Sequence, residues 1–210
     1  ITTIPSLNID SKRLLNSTTA LDLPAIPKSL LVIGGGYIGL ELGSVYQALG
    51  TKVSIVEMLD GLLPGADRDL VSHLSKRIKE KFESIMLNSR VVEMQEVKDG
   101  IQVKIQDAEG KTIKNMYDYV LMSIGRKPDT SGLGLENTKV KVNERGWIGV
   151  TNQLKTDDPN IYAIGDIIGE PMLAHKASHE GRVAVEVIAG HKSVFEPMAI
   201  PAVVFTDPEI

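Results

Sequence analysis

The sequence predicts an α/β fold: a parallel sheet interrupted by an antiparallel β-meander, followed by part of a second α/β unit. Three observations carry this. Leu30-Leu31-Val32-Ile33 is a continuous apolar run closed by glycines, the pattern of a strand buried on both faces of a parallel sheet. A helical repeat then leads to a second such run, Val53-Ser54-Ile55-Val56, and strand, helix and strand together form a βαβ unit with a right-handed crossover. From Arg90 to Asn115 the pattern changes to alternation.

Taken in order, residues 1–28 are rich in Ser, Thr, Asn and Pro, with Pro24 and Pro27 bracketing Ala25-Ile26, and read as an irregular arm. Ile1-Thr2-Thr3-Ile4-Pro5 carries no initiator Met and no legible targeting signal, so the start reads as a cut. After the first strand, Ile38, Leu42, Val45 and Leu49 fall on one face of a 3.6-residue repeat, and Gly50 stands where a left-handed helix cap is expected. A second amphipathic helix starts near Asp67 with Leu70, Val71, Leu74 and Ile78 inward, and crosses to a strand near Ile85-Met86-Leu87. In the meander Ile101, Val103 and Ile105 face inward, with Asp99-Gly100 and Glu109-Gly110 at the turns. Tyr119 to Ile124 is again a buried strand, closed by Gly125, so the meander replaces a crossover helix in a Rossmann-like sheet. Further on, Ile161-Tyr162-Ala163-Ile164 reads as a short strand closed by Gly165-Asp166. Ala177 to Ala189 reads as a helix with Val183, Ala184, Val187 and Ile188 mostly inward, and Pro197 to Ile210 as another unit that stops in mid-strand.

The chain has 210 residues, 42% hydrophobic and 24% charged, with a net charge of -4, an ordinary globular balance. That charge gives no general attraction for nucleic acid or anionic lipid, so phosphate recognition must be local. The longest uncharged run, Ser29 to Leu40, has twelve residues, short of the roughly 20 apolar residues a membrane-spanning helix needs. The absence of Cys removes disulfides, thiolate metal sites and thiol chemistry from this stretch.

Gly34-Gly35-Gly36-Tyr37-Ile38-Gly39 satisfies G-x-G-x-x-G directly after a buried strand and at the start of a helix, with Glu57 eighteen residues beyond Gly39 at the end of the next strand. In that context Gly34 permits the tight turn, Gly36 lets the backbone approach a pyrophosphate, and Gly39 lets the helix lie close to the sheet. Glu57 would accept hydrogen bonds from adenosine ribose hydroxyls and repel a 2′-phosphate, which favours NAD over NADP; the alternative is a solvated strand-end acid. Glu41, early in the helix, gains from the macrodipole whatever its function. His175 and His179 at i, i+4 lack the intervening Glu of a zinc helix. Asp166 could bind a ligand hydroxyl or cap a turn.

These segments together resemble the middle of the dihydrolipoamide dehydrogenases, flavoprotein disulfide reductases. The likeness rests on Asp10-Ser11-Lys12-Arg13, Leu31 to Glu41, Val56-Glu57-Met58, Ser123-Ile124-Gly125-Arg126-Lys127-Pro128, Ile161 to Asp166 and Met172-Leu173-Ala174-His175-Lys176-Ala177. The resemblance implies that Gly34, Gly35, Gly36, Tyr37, Ile38, Gly39, Leu40, Glu41 and Glu57 bind NAD, with Glu41 near the nicotinamide. It also implies that Val91 and Gly125 line the same pocket. Asp166 would hold the ribityl chain of FAD, and backbone groups of Met172, Leu173, Ala174 and His175 would meet the flavin ring edge. Asp129 departs from the Asn usual after the Gly-Arg-x-Pro turn.

The implied reaction oxidises a dihydrolipoyl group through a cysteine pair and FAD, with hydride transfer to NAD. Catalytic residues are expected outside this chain, because the cysteine pair and the C-terminal base are not in it. The implied partners are a homodimer mate and the lipoyl protein of a 2-oxoacid dehydrogenase complex, in bacterial cytoplasm or a mitochondrial matrix. The expected division is an arm at 1–28, an NAD-binding domain at 29–147, the C-terminal part of an FAD-binding domain at 148–196 and the start of a dimerisation domain at 197–210. Rivals are a related flavin disulfide reductase, such as a soluble transhydrogenase, and a stand-alone nucleotide-binding module. Glu57 disfavours the NADP-using glutathione reductases, and Met172 to Lys176 disfavours mercuric reductase.

Overall fold

Apolar runs flanked by glycines become strands, and the computed structural model, which describes residues 4–22 and 25–210, assembles them into two units. Pro24 and Ile1-Thr2-Thr3 lie outside the described residues. The first unit comprises residues up to Arg126 together with Val203–Ile210; the second runs from Lys127 to Ala202.

In the first unit five strands pair in parallel: β1 (Leu14–Leu15), β2 (Ser29–Ile33), β3 (Lys52–Val56), β4 (Ser84–Met86) and β8 (Tyr119–Met122), in the order β1-β8-β2-β3-β4. Helix α1 (Tyr37–Ala48) connects β2 to β3 and α2 (Arg68–Lys81) connects β3 to β4. Strands β5 (Arg90–Val97), β6 (Gly100–Gln106) and β7 (Thr112–Tyr117) form a separate antiparallel sheet between β4 and β8 in sequence. Strand alternation divides the core in two. Leu30, Val32, Val53, Ile55 and Leu121 pack with the helix residues Leu40, Tyr46, Val71, Leu74 and Ile78. Leu31, Ile33, Val56, Val120 and Met122 pack with Met94, Ile101, Val103, Ile105 and Tyr117 of the meander. The meander therefore covers the face that a crossover helix would otherwise cover, and the inward alternation at 101, 103 and 105 holds.

Several expectations need correction. The arm is not only irregular: its Leu14–Leu15 becomes an edge strand paired with Val120 and Leu121, and Leu7, Leu15 and Ala20 are buried. A two-residue strand has too little periodicity to be read from sequence. The buried face of α1 is Gly39, Leu40, Gly43 and Tyr46; Val45 and Leu49 are 54% and 53% exposed. Two glycines bring this helix close to the sheet, so the face with the most side-chain hydrophobicity is not the one that packs. Leu70 on α2 and Ile188 on the last helix are likewise exposed.

The second unit is built mostly from turns around one helix, α3 (Ala174–Ile188). Val183, Ala184 and Val187 of α3 pack with Leu154, and Val140, Ile148 and Ala163 form a neighbouring cluster. The run Ile161 to Ile164 makes a single bridge, Lys155 with Tyr162, instead of a strand. By compactness the second unit begins at Lys127, and within it Val142 bridges to Ile148 and the Ile148 N–H donates to Ile167 C=O at 2.8 Å. Residues 203–210 form no strand; Val204 and Ile210 pack on the helix-side core of the first unit. Among the described residues no helix is long and apolar enough to cross a membrane.

Candidate functional site

The glycine loop occupies the C-terminal end of β2, where a parallel sheet presents ligands. Gly34 has φ +103, and a Cβ there would lie 2.6 Å from Ser123 C=O; no other residue fits. A Cβ on Gly39 would clash with Gly34 C=O and lie 2.6 Å from Ser123 Oγ, so this glycine sets the close approach of α1 to the sheet. A Cβ on Gly35 would meet Leu62 Cδ2 at 2.7 Å and Glu57 Oε2 at 3.2 Å. Gly36 differs: it has an ordinary extended backbone, φ -78 and ψ 177, and a Cβ there would meet nothing within 4 Å. Protein packing explains the other three glycines and leaves Gly36 facing open space. It is the N-cap of α1 and supplies no side-chain cap, so the first-turn amides of Tyr37, Ile38 and Gly39 stay available to an anion.

Glu57 is not a solvated acid. It is 8% exposed, its Oε2 accepts the Gly35 N–H at 2.6 Å, and its Oε1 accepts the Leu59 N–H at 2.8 Å. The carboxylate thus braces the glycine loop from the neighbouring strand. Two carboxylate oxygens offer about four acceptor positions, so the brace leaves capacity for a ribose diol.

Tyr37 is exposed, and Ile38 and Glu41 are half-buried. Leu40 is fully buried in the helix-side core, so its side chain does not reach the loop surface. Val91 is buried in the meander-side core, and only its backbone can line a pocket there. Gly125 is exposed with φ +124 just beyond β8. Glu41 Oε1 accepts the backbone N–H of Phe205 at 2.9 Å. That partner was invisible in the sequence, being 164 residues away.

In the second unit the sequence-predicted flavin residues gather at the start of α3 and the turn before it. Asp166 lies in the short helical turn Gly165–Ile167 and is half-buried. Leu173 is the N-cap of α3 without a side-chain cap; Met172 is half-buried, and Ala174 and His175 are exposed. His175 Nε2 lies 2.7 Å from Pro201 C=O, which occupies its ring nitrogen and leaves its backbone amide at the helix N-terminus. Asp129 accepts the Ser131 hydroxyl at 2.5 Å and its N–H at 3.2 Å. Those bonds hold its carboxyl below the usual carboxylate range. Among the described residues no group of His, Cys, Asp and Glu could hold a metal ion.

A parallel βαβ unit with a braced glycine loop and an uncapped helix N-terminus defines a dinucleotide-binding α/β protein. The model of the family "pyridine nucleotide-disulphide oxidoreductase" matches residues 2–181, and the chain belongs to that family. It is 45% identical over 207 residues to the dihydrolipoyl dehydrogenase of Vibrio parahaemolyticus, covering 99% of this chain and 43% of that protein. It is 49% identical over 199 residues to the dihydrolipoyl dehydrogenase of Geobacillus stearothermophilus, covering 95% and 42%. Among solved structures, LpdA from Mycobacterium tuberculosis superposes with TM-score 0.87 at 32% identity, covering all of this chain and 45% of its own. The HOCl-induced flavoprotein disulfide reductase RclA from Escherichia coli superposes with TM-score 0.89 at 29% identity, covering 100% and 48%. The chain thus spans less than half the length of the relatives it matches.

Proposed function

We propose that this chain is the NAD-binding portion, and part of the FAD-binding portion, of a dihydrolipoyl dehydrogenase. The observation that carries the reading is Gly36, the one loop glycine whose bare backbone faces open space, beside uncapped α1 amides and the buried Glu57 carboxylate. Near-complete coverage by dihydrolipoyl dehydrogenases at 45% and 49% identity, against 29% for RclA, supports this reaction over a related disulfide reduction.

In this reading the α1 amides and Gly36 hold the NAD pyrophosphate, and Glu57 accepts the adenosine ribose hydroxyls. Glu41 stands towards the nicotinamide. Asp166 takes the FAD ribityl chain, and the first amides of α3 face the flavin edge. Bound flavin supplies a two-electron relay: the dihydrolipoyl dithiol is oxidised to a disulfide, and NAD+ leaves as NADH with release of a proton. With no Cys in its 210 residues, the chain has no thiol to exchange with the substrate, so that step belongs to other parts of the full-length protein. The partner is a lipoyl-bearing protein, in finer terms that of a 2-oxoacid dehydrogenase complex, and the full-length protein is a homodimer of the bacterial cytoplasm or mitochondrial matrix.

The test is the full-length protein, purified with its flavin and assayed for NADH formation from dihydrolipoamide and NAD+. We expect yellow protein with NAD-dependent turnover, and none from the isolated 210-residue chain. A strong preference for NADP, or turnover by the isolated chain, would refute the reading.

A further inference from the structure

Helix α3 carries a buried ion pair to which the flavin reading assigns no role. Lys176 Nζ and Glu180 Oε1 are 2.8 Å apart at i, i+4, with side chains 6% and 1% exposed. Each also holds backbone outside the helix. Glu180 Oε2 accepts the Gly165 N–H at 2.7 Å, and Lys176 Nζ donates to Gly169 C=O at 3.3 Å. Gly165 has φ +76 and Gly169 φ +139, so two glycines bound the turn that carries Asp166, and one member of the pair holds each end. The turn lies close on the helix: a Cβ on Gly165 would be 3.3 Å from Ala177 Cβ.

Stability is a poor explanation for this arrangement. Removing two charges from water offsets most of their attraction, and an apolar pair of similar volume often does as well or better. The order is also the less favourable one, since an acid N-terminal to a base suits the helix dipole better than the reverse. An apolar pair, however, cannot accept from Gly165 or donate to Gly169. Resting on the reading of Asp166 as a flavin ligand, we propose that Lys176 and Glu180 are positioning residues that fasten the 165–169 turn to α3. Asp166 and the first amides of the helix are then held at a fixed spacing before FAD binds. Ordering done during folding is not paid again on binding, so FAD is released more slowly.

The experiment uses the flavin-loaded full-length protein and the double variant Lys176→Met/Glu180→Leu. FAD release is followed by the rise in flavin fluorescence on dilution, and the thermal midpoint is measured on the flavin-free form. Supporting contacts of this kind at metal sites alter affinity by roughly 10–100-fold, and we expect FAD release at least about tenfold faster with the flavin-free midpoint unchanged or raised. Glu180→Gln keeps an acceptor for the Gly165 N–H and should release FAD more slowly than the double variant. Parental release from the double variant, or a double variant that fails to fold, would overturn the inference; the second result would make the pair a structural one. Hydrogen exchange on the unsubstituted flavin-free protein tests the tether without any variant. The Gly165 amide should be as protected as the interior amides of α3, and exchange at the rate of an open loop would also overturn it. A full-length protein that holds no FAD would instead refute the flavin reading itself, and this inference with it.

Discussion

Glu57→Gln tests the glycine loop most directly. In the structure Glu57 is buried and its two oxygens accept separate backbone N–H groups, from Gly35 at 2.6 Å and Leu59 at 2.8 Å. Each is a hydrogen bond to a charged acceptor, worth about 1.5–3 kcal/mol. Glutamine keeps one oxygen and turns an amide donor towards the other N–H, so one bond is lost. A loss of that size corresponds to a fall in thermal midpoint of roughly 3–12 °C for a chain of this length, followed by circular dichroism. The same substitution removes the charge that would face a 2′-phosphate. Titration calorimetry should therefore show NAD affinity falling about tenfold, as expected for a loss of about 1.4 kcal/mol, and NADP affinity falling less or rising. A midpoint unchanged within about 1 °C would refute the bracing role, since even the smallest loss considered moves it further. A lowered midpoint with an unchanged NAD/NADP ratio would leave Glu57 as a brace alone and refute its part in nucleotide choice.

The glycines should separate packing from binding. Gly36→Ala, with open space for its Cβ, should leave the thermal midpoint near the parent and weaken NAD binding by about tenfold or more, in the range of one lost strong contact. Gly39→Ala, which drives its Cβ into Gly34 C=O and Ser123 Oγ, should instead cost at least about 1–3 kcal/mol of stability. Equal midpoints for the two variants would contradict the geometry. At the C-terminus, Asp207 accepts from Lys81 Nζ at 3.0 Å and lies 3.6 Å from Arg77. The Lys81 hydrogen bond and charge, with Arg77, hold its carboxyl below the usual range. A lowered folded-state pKa means that this attachment is complete above the ordinary carboxylate value of about 3.9 and is lost as pH falls through the folded value. Amide protection in 203–210, taken relative to the intrinsic exchange rate at each pH, should accordingly be full at neutral pH and fall modestly below that range, since an exposed ion pair stabilises only weakly. Asp207→Asn should lose part of that protection at neutral pH and show a smaller acid response; an acid response as large as the parent's would refute the assignment.

The parallel sheet, the meander and the nucleotide loop were legible in the sequence because each is a local pattern. Leu30 to Ile33 is a buried strand by composition, Ile101/Val103/Ile105 alternates with the period of a half-buried strand, and Gly34 to Gly39 must turn before a helix. Position along the chain also made Glu57 a candidate. Its state, though, was decided only by tertiary structure. The loop after the neighbouring strand brings the Gly35 N–H to its carboxylate, the turn after its own strand brings the Leu59 N–H, and no linear spacing separates that from solvation. The inward face of α1 departs from the hydrophobic periodicity for a related reason: periodicity weighs side chains, whereas glycines 39 and 43 win by letting backbones approach. Leu14–Leu15 became a sheet strand because β8, more than a hundred residues later, supplied hydrogen-bond partners that two residues cannot advertise. The same holds for the Phe205 N–H on Glu41 and for Glu180 on Gly165. Sequence determines what each segment can form alone; pairings between distant segments, and therefore which polar groups are buried and held, exist only once the chain has folded.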